Sequence, residues 1–300
     1  MSMSPRILSR RDLYLFDTQG FLHVPQVLTA AEVSELRGLL EDMPSFLQEF
    51  SHARRWNNVA NLHPRFAALA RDARLVDHAF DVINQPMRLI DTYALRYEPG
   101  GSLFMHSGNV QDTVYPDGTH STLNLAYRSS YHDGKLYTTQ VKALVYLSTV
   151  ESEDQGAFCY LHGSHKANFA FPWGEAGLAP GERLCDSAFP GVGRVLHKAG
   201  DVIFLNEALA HGAMRTTVKR SFLSFLYAPA FMADFVRIHP ERDDIATLGY
   251  YDADYEAEAA GANFPVNCEA CTGPNHHDRP AANVPHHPAA AGAARGTSVL

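Results

Sequence analysis

Gly200-Asp201-Val202-Ile203-Phe204-Leu205-Asn206-Glu207-Ala208-Leu209-Ala210-His211-Gly212 is the stretch on which the reading of this chain turns. A Gly-Asp turn feeds an apolar run of strand length, and a histidine follows after a short step. Nine residues later Arg220 opens a second apolar run, Arg220-Ser221-Phe222-Leu223-Ser224-Phe225. Two such strands lying side by side would aim an imidazole and a guanidinium into one cavity. Imidazole suits a first-row transition metal. The planar fork of arginine meets a carboxylate in bidentate fashion and stays charged when partly buried.

Working upstream, Leu103-Phe104-Met105-His106-Ser107-Gly108 is another apolar run ending in histidine, which makes His106 the natural partner of His211. Between them, Gly156-Ala157-Phe158-Cys159-Tyr160-Leu161 runs into a Gly163-Ser164-His165-Lys166 turn, where His162 and His165 read as turn residues. Short strands are expected at 89–97, 141–149, 157–161, 194–197, 201–206 and 221–228. The first part of the chain differs. An extended piece at Gly20–Pro25 precedes a helix whose capping box is Thr29 and Glu32, with Val33, Leu36, Leu40 and Met43 on one face. Residues 56–88 keep a mostly helical pattern, with Phe66, Leu69, Leu75, Phe80 and Ile83 as core candidates and Pro86 as a stop. Helices followed by many short strands predict an α+β, mainly β architecture in which helices buttress a jelly roll.

The chain has 300 residues, 46% hydrophobic and 19% charged, which suits one large domain. Its formal charge of −8 argues against a surface built to grip a nucleic-acid polymer or acidic lipid. No apolar run approaches the roughly 20 residues of a membrane span. Cys159, Cys185, Cys268 and Cys271 are too few and scattered for a disulfide framework, and no leader pattern opens the sequence. A cytoplasmic protein with a small-molecule substrate and no membrane partner is therefore expected, of unspecified oligomeric state. One domain is expected over 1–272, with 273–300, rich in Ala, Gly, Pro and His, as a disordered tail. The stretch 107–140 reads as a long irregular loop, of the kind that is functional or disordered. Cys268-Glu269-Ala270-Cys271 has no second pair at zinc spacing and is assigned no site.

Three blocks in this order, the Phe16-x-x-x-Gly20-Phe21 segment with its helix, the Gly-Ser-His-Lys turn, and the Gly-Asp-Val-Ile-Phe to His211 to Arg220 block, resemble the phytanoyl-CoA dioxygenase-like family of iron(II)/2-oxoglutarate enzymes. The resemblance implies a double-stranded β-helix (cupin-like jelly roll), and Fe(II), 2-oxoglutarate and O2 as cofactors. It further implies His106 and His211 as metal ligands and Arg220 as the holder of the 2-oxoglutarate C5 carboxylate.

One position departs from the family. Most members present His-x-Asp, whose carboxylate completes a facial triad, whereas this chain has Gly108. His-x-Gly resembles the iron/2-oxoglutarate halogenases, in which the open position takes chloride. That resemblance implies chlorination of an unactivated sp3 carbon of a small polar metabolite, a nucleotide such as 2′-deoxyadenosine monophosphate being one candidate, with 2-oxoglutarate decarboxylated to succinate. Arg54, Arg55, Trp56, Tyr127, Arg128, Lys135 and Lys142 are then candidate phosphate and base contacts.

Other readings stand beside this one. Asp112 or Asp133 could swing in to supply the missing carboxylate, which would make the enzyme a hydroxylase of the same family. A cupin-type binding module without a metal is the third reading. Arg54, Arg55 and Lys135 also fit plain solvated charges, and Arg215 is the fallback for Arg220.

Overall fold

Capping residues set the N-terminal helices. The computed structural model describes residues 7–48, 51–85, 87–106, 113–114, 120–121, 129–132, 134–167 and 182–229. Helix α1 (Arg10–Gln19) begins at a Ser9/Asp12 capping box and stops at Gly20, whose φ of 82° favours a residue without a β-carbon. Strand β1 (Phe21–Val24) follows. Helix α2 (Ala30–Asp42) starts at the expected Thr29/Glu32 box and buries Val33, Leu36 and Leu40. Helices α3 (Val59–Leu62), α4 (Pro64–Ala70) and α5 (Ala73–Ile83) complete the layer.

Two boundaries differ from the sequence reading. Helix α1 was not expected, although Ser9-Arg10-Arg11-Asp12 is the same type of capping signal as the one read at Thr29. The segment expected to be helical from residue 56 starts as strand β3 (Ala53–Asn57), paired with β2 (Phe46–Gln48). Its side chains alternate: Trp56 lies in the helix-side core while Ala53 faces the other way.

The remaining strands are β4 (Met87–Tyr97), β5 (Leu103–His106), β6 (Thr113–Val114), β7 (His120–Ser121), β8 (Ser129–His132), β9 (Lys135–Thr138), β10 (Val141–Tyr146), β11 (Phe158–Leu161), β12 (Val192–Val195), β13 (Val202–Asn206), β14 (His211–Ala213) and β15 (Arg220–Pro229). The six expected strands are therefore present, β4 beginning at Met87 rather than Leu89. Residues 107–140 hold two short antiparallel pairings, β6 with β7 and β8 with β9, where an irregular loop was expected. The expected tail at 273–300 and the end of the 1–272 domain lie outside the described residues.

The strands form a seven-stranded sheet, ordered β1-β13-β10-β15-β4-β3-β2, and a four-stranded sheet, ordered β12-β11-β14-β5. Period-two alternation splits the large sheet. Val141, Ala143, Val145, Val202, Phe204, Leu223 and Phe225 face the helices and pack with Leu36, Phe66, Leu69, Leu75 and Ile83. Leu144, Tyr146, Ile203, Leu205, Leu95 and Phe222 face inward and meet Phe158 and Tyr160 of the small sheet. Phe21 bridges the two, its ring 4.6 Å from Tyr160 and 5.9 Å from Phe158. Two facing sheets with helices on one outer face make a jelly roll, and its interior is where side chains from distant strands converge.

Candidate active site

The turn after β13 delivers His211 at the first residue of β14, and β14 pairs antiparallel with β5 so that His211 and His106 sit directly opposite each other. Their ring centroids are 4.5 Å apart. Each ring is tethered in the same way. Nδ1 of His106 donates to the Phe104 carbonyl at 3.0 Å, and Nδ1 of His211 donates to the Leu209 carbonyl at 2.7 Å. A carbonyl can only accept, so the proton is on Nδ1 and the lone pair is on Nε2 in both rings. Burial pushes the pKa of each ring below the usual value, His211 well below it with the neighbouring His106 as the second cause. Neutral imidazoles with fixed tautomers are what a metal site requires.

Arg220 enters β15 beside Tyr97 of β4. Its side chain is buried at 3% exposure, with the guanidinium 4.3 Å over the Tyr97 ring. Nε and Nη2 have no hydrogen-bond partner among the described residues. A buried guanidinium with unspent donors is a cost to the fold unless a carboxylate arrives to accept from it. The residues therefore fit the carboxylate end of 2-oxoglutarate, and the two imidazoles fit its metal. Arg215, by contrast, is exposed.

The phytanoyl-CoA dioxygenase (PhyH) family model matches residues 16–221, which include both histidines and Arg220. The chain belongs to the phytanoyl-CoA dioxygenase family. HygX from Streptomyces hygroscopicus, solved with nickel and 2-oxoglutarate bound, is 41% identical over 76% of this chain and 89% of its own, with a TM-score of 0.70. The same protein with nickel, 2-oxoglutarate and hygromycin B bound gives the same identity and TM-score, over 90% of its length. EctD from S. alaskensis, 19% identical over 77% of this chain and 80% of its own with a TM-score of 0.54, shares the fold. No curated protein matches the chain in sequence. This member of the phytanoyl-CoA dioxygenase family is an Fe(II)/2-oxoglutarate-dependent oxygenase.

The family assignment gives the other candidate residues a frame. Gly108, Asp112, Tyr127, Arg128 and Asp133 lie outside the described residues, as do Cys268 and Cys271. Among the described residues no three of His, Cys, Asp and Glu gather round one metal position. Trp56 does not line the cavity: it is 3% exposed in the helix-side core, and its Nε1 donates to the Met43 carbonyl at 3.1 Å. Base stacking by Trp56 is thus corrected to a packing role, because strand alternation turns it away from the barrel interior. Arg54 is exposed on β3, and Lys135 is half-buried on β9. Arg55 lies 4.1 Å over the Tyr93 ring and donates through Nε to Asn57 Oδ1 at 2.6 Å. His165 is a turn residue as expected, its Nε2 donating to the Asp17 carbonyl at 2.9 Å.

Lys142 was read as a candidate phosphate contact. It is instead bound to Glu207 at 2.6 Å, both side chains being buried. Burial is the largest single influence and works against its charge, but Glu207, with Tyr93 and Asp91, together outweigh it and raise its pKa. Breaking such a pair by removing one partner costs about 3–5 kcal/mol, since a charge is left uncompensated. Glu207, Gln140 and Ser224 were not singled out from sequence. The available signal was polarity inside apolar strands, as in Val141-Lys142-Ala143-Leu144-Val145. No helix among the described residues is long and apolar enough to cross a membrane.

Proposed function

We propose that this oxygenase oxidises a saturated C–H bond of a small polar molecule of the aminoglycoside kind, consuming 2-oxoglutarate and O2 and releasing succinate and CO2. The observation that carries this reading is the pairing of two tethered imidazoles, 4.5 Å apart, with a buried guanidinium whose Nε and Nη2 have no partner among the described residues. His106 and His211 would hold the iron through Nε2, and Arg220 would hold the C5 carboxylate of the co-substrate. Iron with 2-oxoglutarate bound supplies the activation of O2. The chain contributes orientation and exclusion of water. Phe158, Tyr160, Leu205 and Phe222 line the same interior and would keep water away from the bound co-substrate. HygX, 41% identical and solved with hygromycin B bound, supports this substrate class.

A second reading is kept for one observation. Gly108 gives no carboxylate where most of the family has Asp, and an open position beside the metal admits chloride. Chlorination of the substrate carbon would then replace hydroxylation.

Mass spectrometry separates the two. The iron-loaded protein is incubated with hygromycin B, 2-oxoglutarate and O2, with and without chloride. The expected product gains one oxygen irrespective of chloride, together with substrate-dependent succinate. A chlorine isotope doublet appearing only with chloride would replace this reading with the second.

A further inference from the structure

Among the described residues, Arg220 is not alone in holding unspent polar atoms inside the barrel. A second set lies on the inner face of the large sheet. Strand register sets its position. Tyr93, Ser224, Leu144 and Ile203 are cross-strand neighbours in one row, and Asp91, Leu226, Lys142 and Leu205 form the next. Gln140 precedes Lys142 by two residues, and its carbonyl accepts from the N–H of Glu207 at 3.2 Å. The row beyond Tyr93 in the other direction is apolar: Leu95, Phe222 and Tyr146. The interior thus changes from apolar to polar at the level of Lys142.

That polar end adjoins the imidazoles: Glu207 follows Asn206 at the end of β13 and opens the turn, closed by the Leu209 N–H donating to the Asn206 carbonyl at 2.9 Å, that delivers His211 to β14. Gln140 is fully buried, yet neither its Oε1 nor its Nε2 has a partner among the described residues. Glu207 spends Oε1 on Lys142 and leaves Oε2 unpartnered, as is the hydroxyl of Ser224. Folded chains satisfy nearly all buried polar groups, and an apolar side chain of the same shape at residue 140 would cost the fold less. Such groups persist where something else completes them.

We propose that Gln140 and Glu207 are the specificity-determining residues of this oxygenase, gripping the hydroxyl and amino groups of an amine-bearing polyol. The inference rests on the oxidation argued above and adds the residues that select its substrate. Glu207 Oε2 can only accept, which suits an ammonium or hydroxyl group, while the Gln140 amide both donates and accepts, as a polyol requires. Among the described residues, an anionic substrate finds no spare cation in this cluster. Lys142 is neutralised by Glu207, and Arg55 is engaged by Asn57 and the Tyr93 ring. Lys142 is a positioning residue that fixes the rotamer of Glu207.

The test is calorimetric titration of hygromycin B, and separately of 2′-deoxyadenosine monophosphate, into the full chain loaded with Ni(II) and 2-oxoglutarate. Wild type binds the aminoglycoside and not the nucleotide. Gln140→Leu weakens that binding about tenfold or more while its Tm stays level or rises, a split that a merely structural residue would not give. Glu207→Gln, which also strips Lys142 of its counter-charge and so lowers the Tm, weakens it as well. Both variants keep the visible charge-transfer band of anaerobic Fe(II) with 2-oxoglutarate. Unchanged affinity in Gln140→Leu, or a wild type that binds the nucleotide or neither probe, overturns the proposal. Absence of the charge-transfer band in wild type would instead overturn the oxygenase reading beneath it.

Discussion

Gly156 lies directly against the guanidinium of Arg220: a β-carbon at residue 156 would come within 2.5 Å of Nε and 2.8 Å of Cδ. Its φ of 89° also belongs to the left-handed region that a side chain disfavours. The arginine is thus flanked by a bare backbone and by the Tyr97 ring 4.3 Å away. Its direction is fixed before any carboxylate arrives, which is the form of preorganisation that lowers the cost of binding.

Gly156→Ala therefore displaces Arg220. The apparent KM for 2-oxoglutarate should rise by about tenfold, equivalent to ~1.4 kcal/mol, while Fe(II) affinity measured without co-substrate stays at the wild-type value. An unchanged KM would show that Arg220 does not hold the co-substrate.

The imidazole pair makes a different prediction. His106→Ala and His211→Ala each remove one Nε2 donor, and each should abolish retention of Fe(II) or Ni(II) after gel filtration. Folding should survive in His106→Ala, because that side chain is only half-buried. Metal retained at wild-type stoichiometry in both variants would place the site elsewhere.

Acid stability should carry the signature of His197. Burial, followed by the nearby Arg220 charge, lowers its pKa from 6.5 to about 3. Between those two values the unfolded chain binds a proton that the folded chain refuses, so stability falls as pH drops from about 6.5 toward 3. The ring stacks on Tyr146 with centroids 3.4 Å apart, so an apolar replacement of similar volume keeps much of the packing. Urea midpoints of His197→Leu between pH 7 and pH 5 should decline less than those of wild type. Parallel declines would mean that other groups set the acid limb.

At the N-terminal layer, Thr29→Ala removes the acceptor for the Glu32 N–H and opens the capping box of α2. The expected loss is about 1 kcal/mol in denaturant unfolding, with 2-oxoglutarate turnover unaltered. A loss indistinguishable from zero would mean that Glu32, which also binds Arg74 at 2.7 Å, secures the helix start without the threonine.

How much of this was readable in advance follows from where each interaction lies in the chain. His211 and Arg220 sit on successive strands, so their shared cavity could be read from one short block. The α2 start was equally local. Strand β3 was misread because pairing with β4, not its own pattern, makes it extended, and the same pairing turns Trp56 into the helix-side core. Gln140 and Glu207 escaped notice for a related reason: they become neighbours only through the pairing of β10 with β13, which no local period encodes. Gly108 was legible as a departure from the family.

The central claim, that His106, His211 and Arg220 together hold Fe(II) and 2-oxoglutarate, is tested most directly by anaerobic titration of 2-oxoglutarate into the Fe(II)-loaded chain. A saturable visible charge-transfer band is predicted for wild type. It should be absent in His211→Ala and need far more co-substrate in Arg220→Ala. No band in wild type, or one of full intensity and affinity in both variants, would contradict the account.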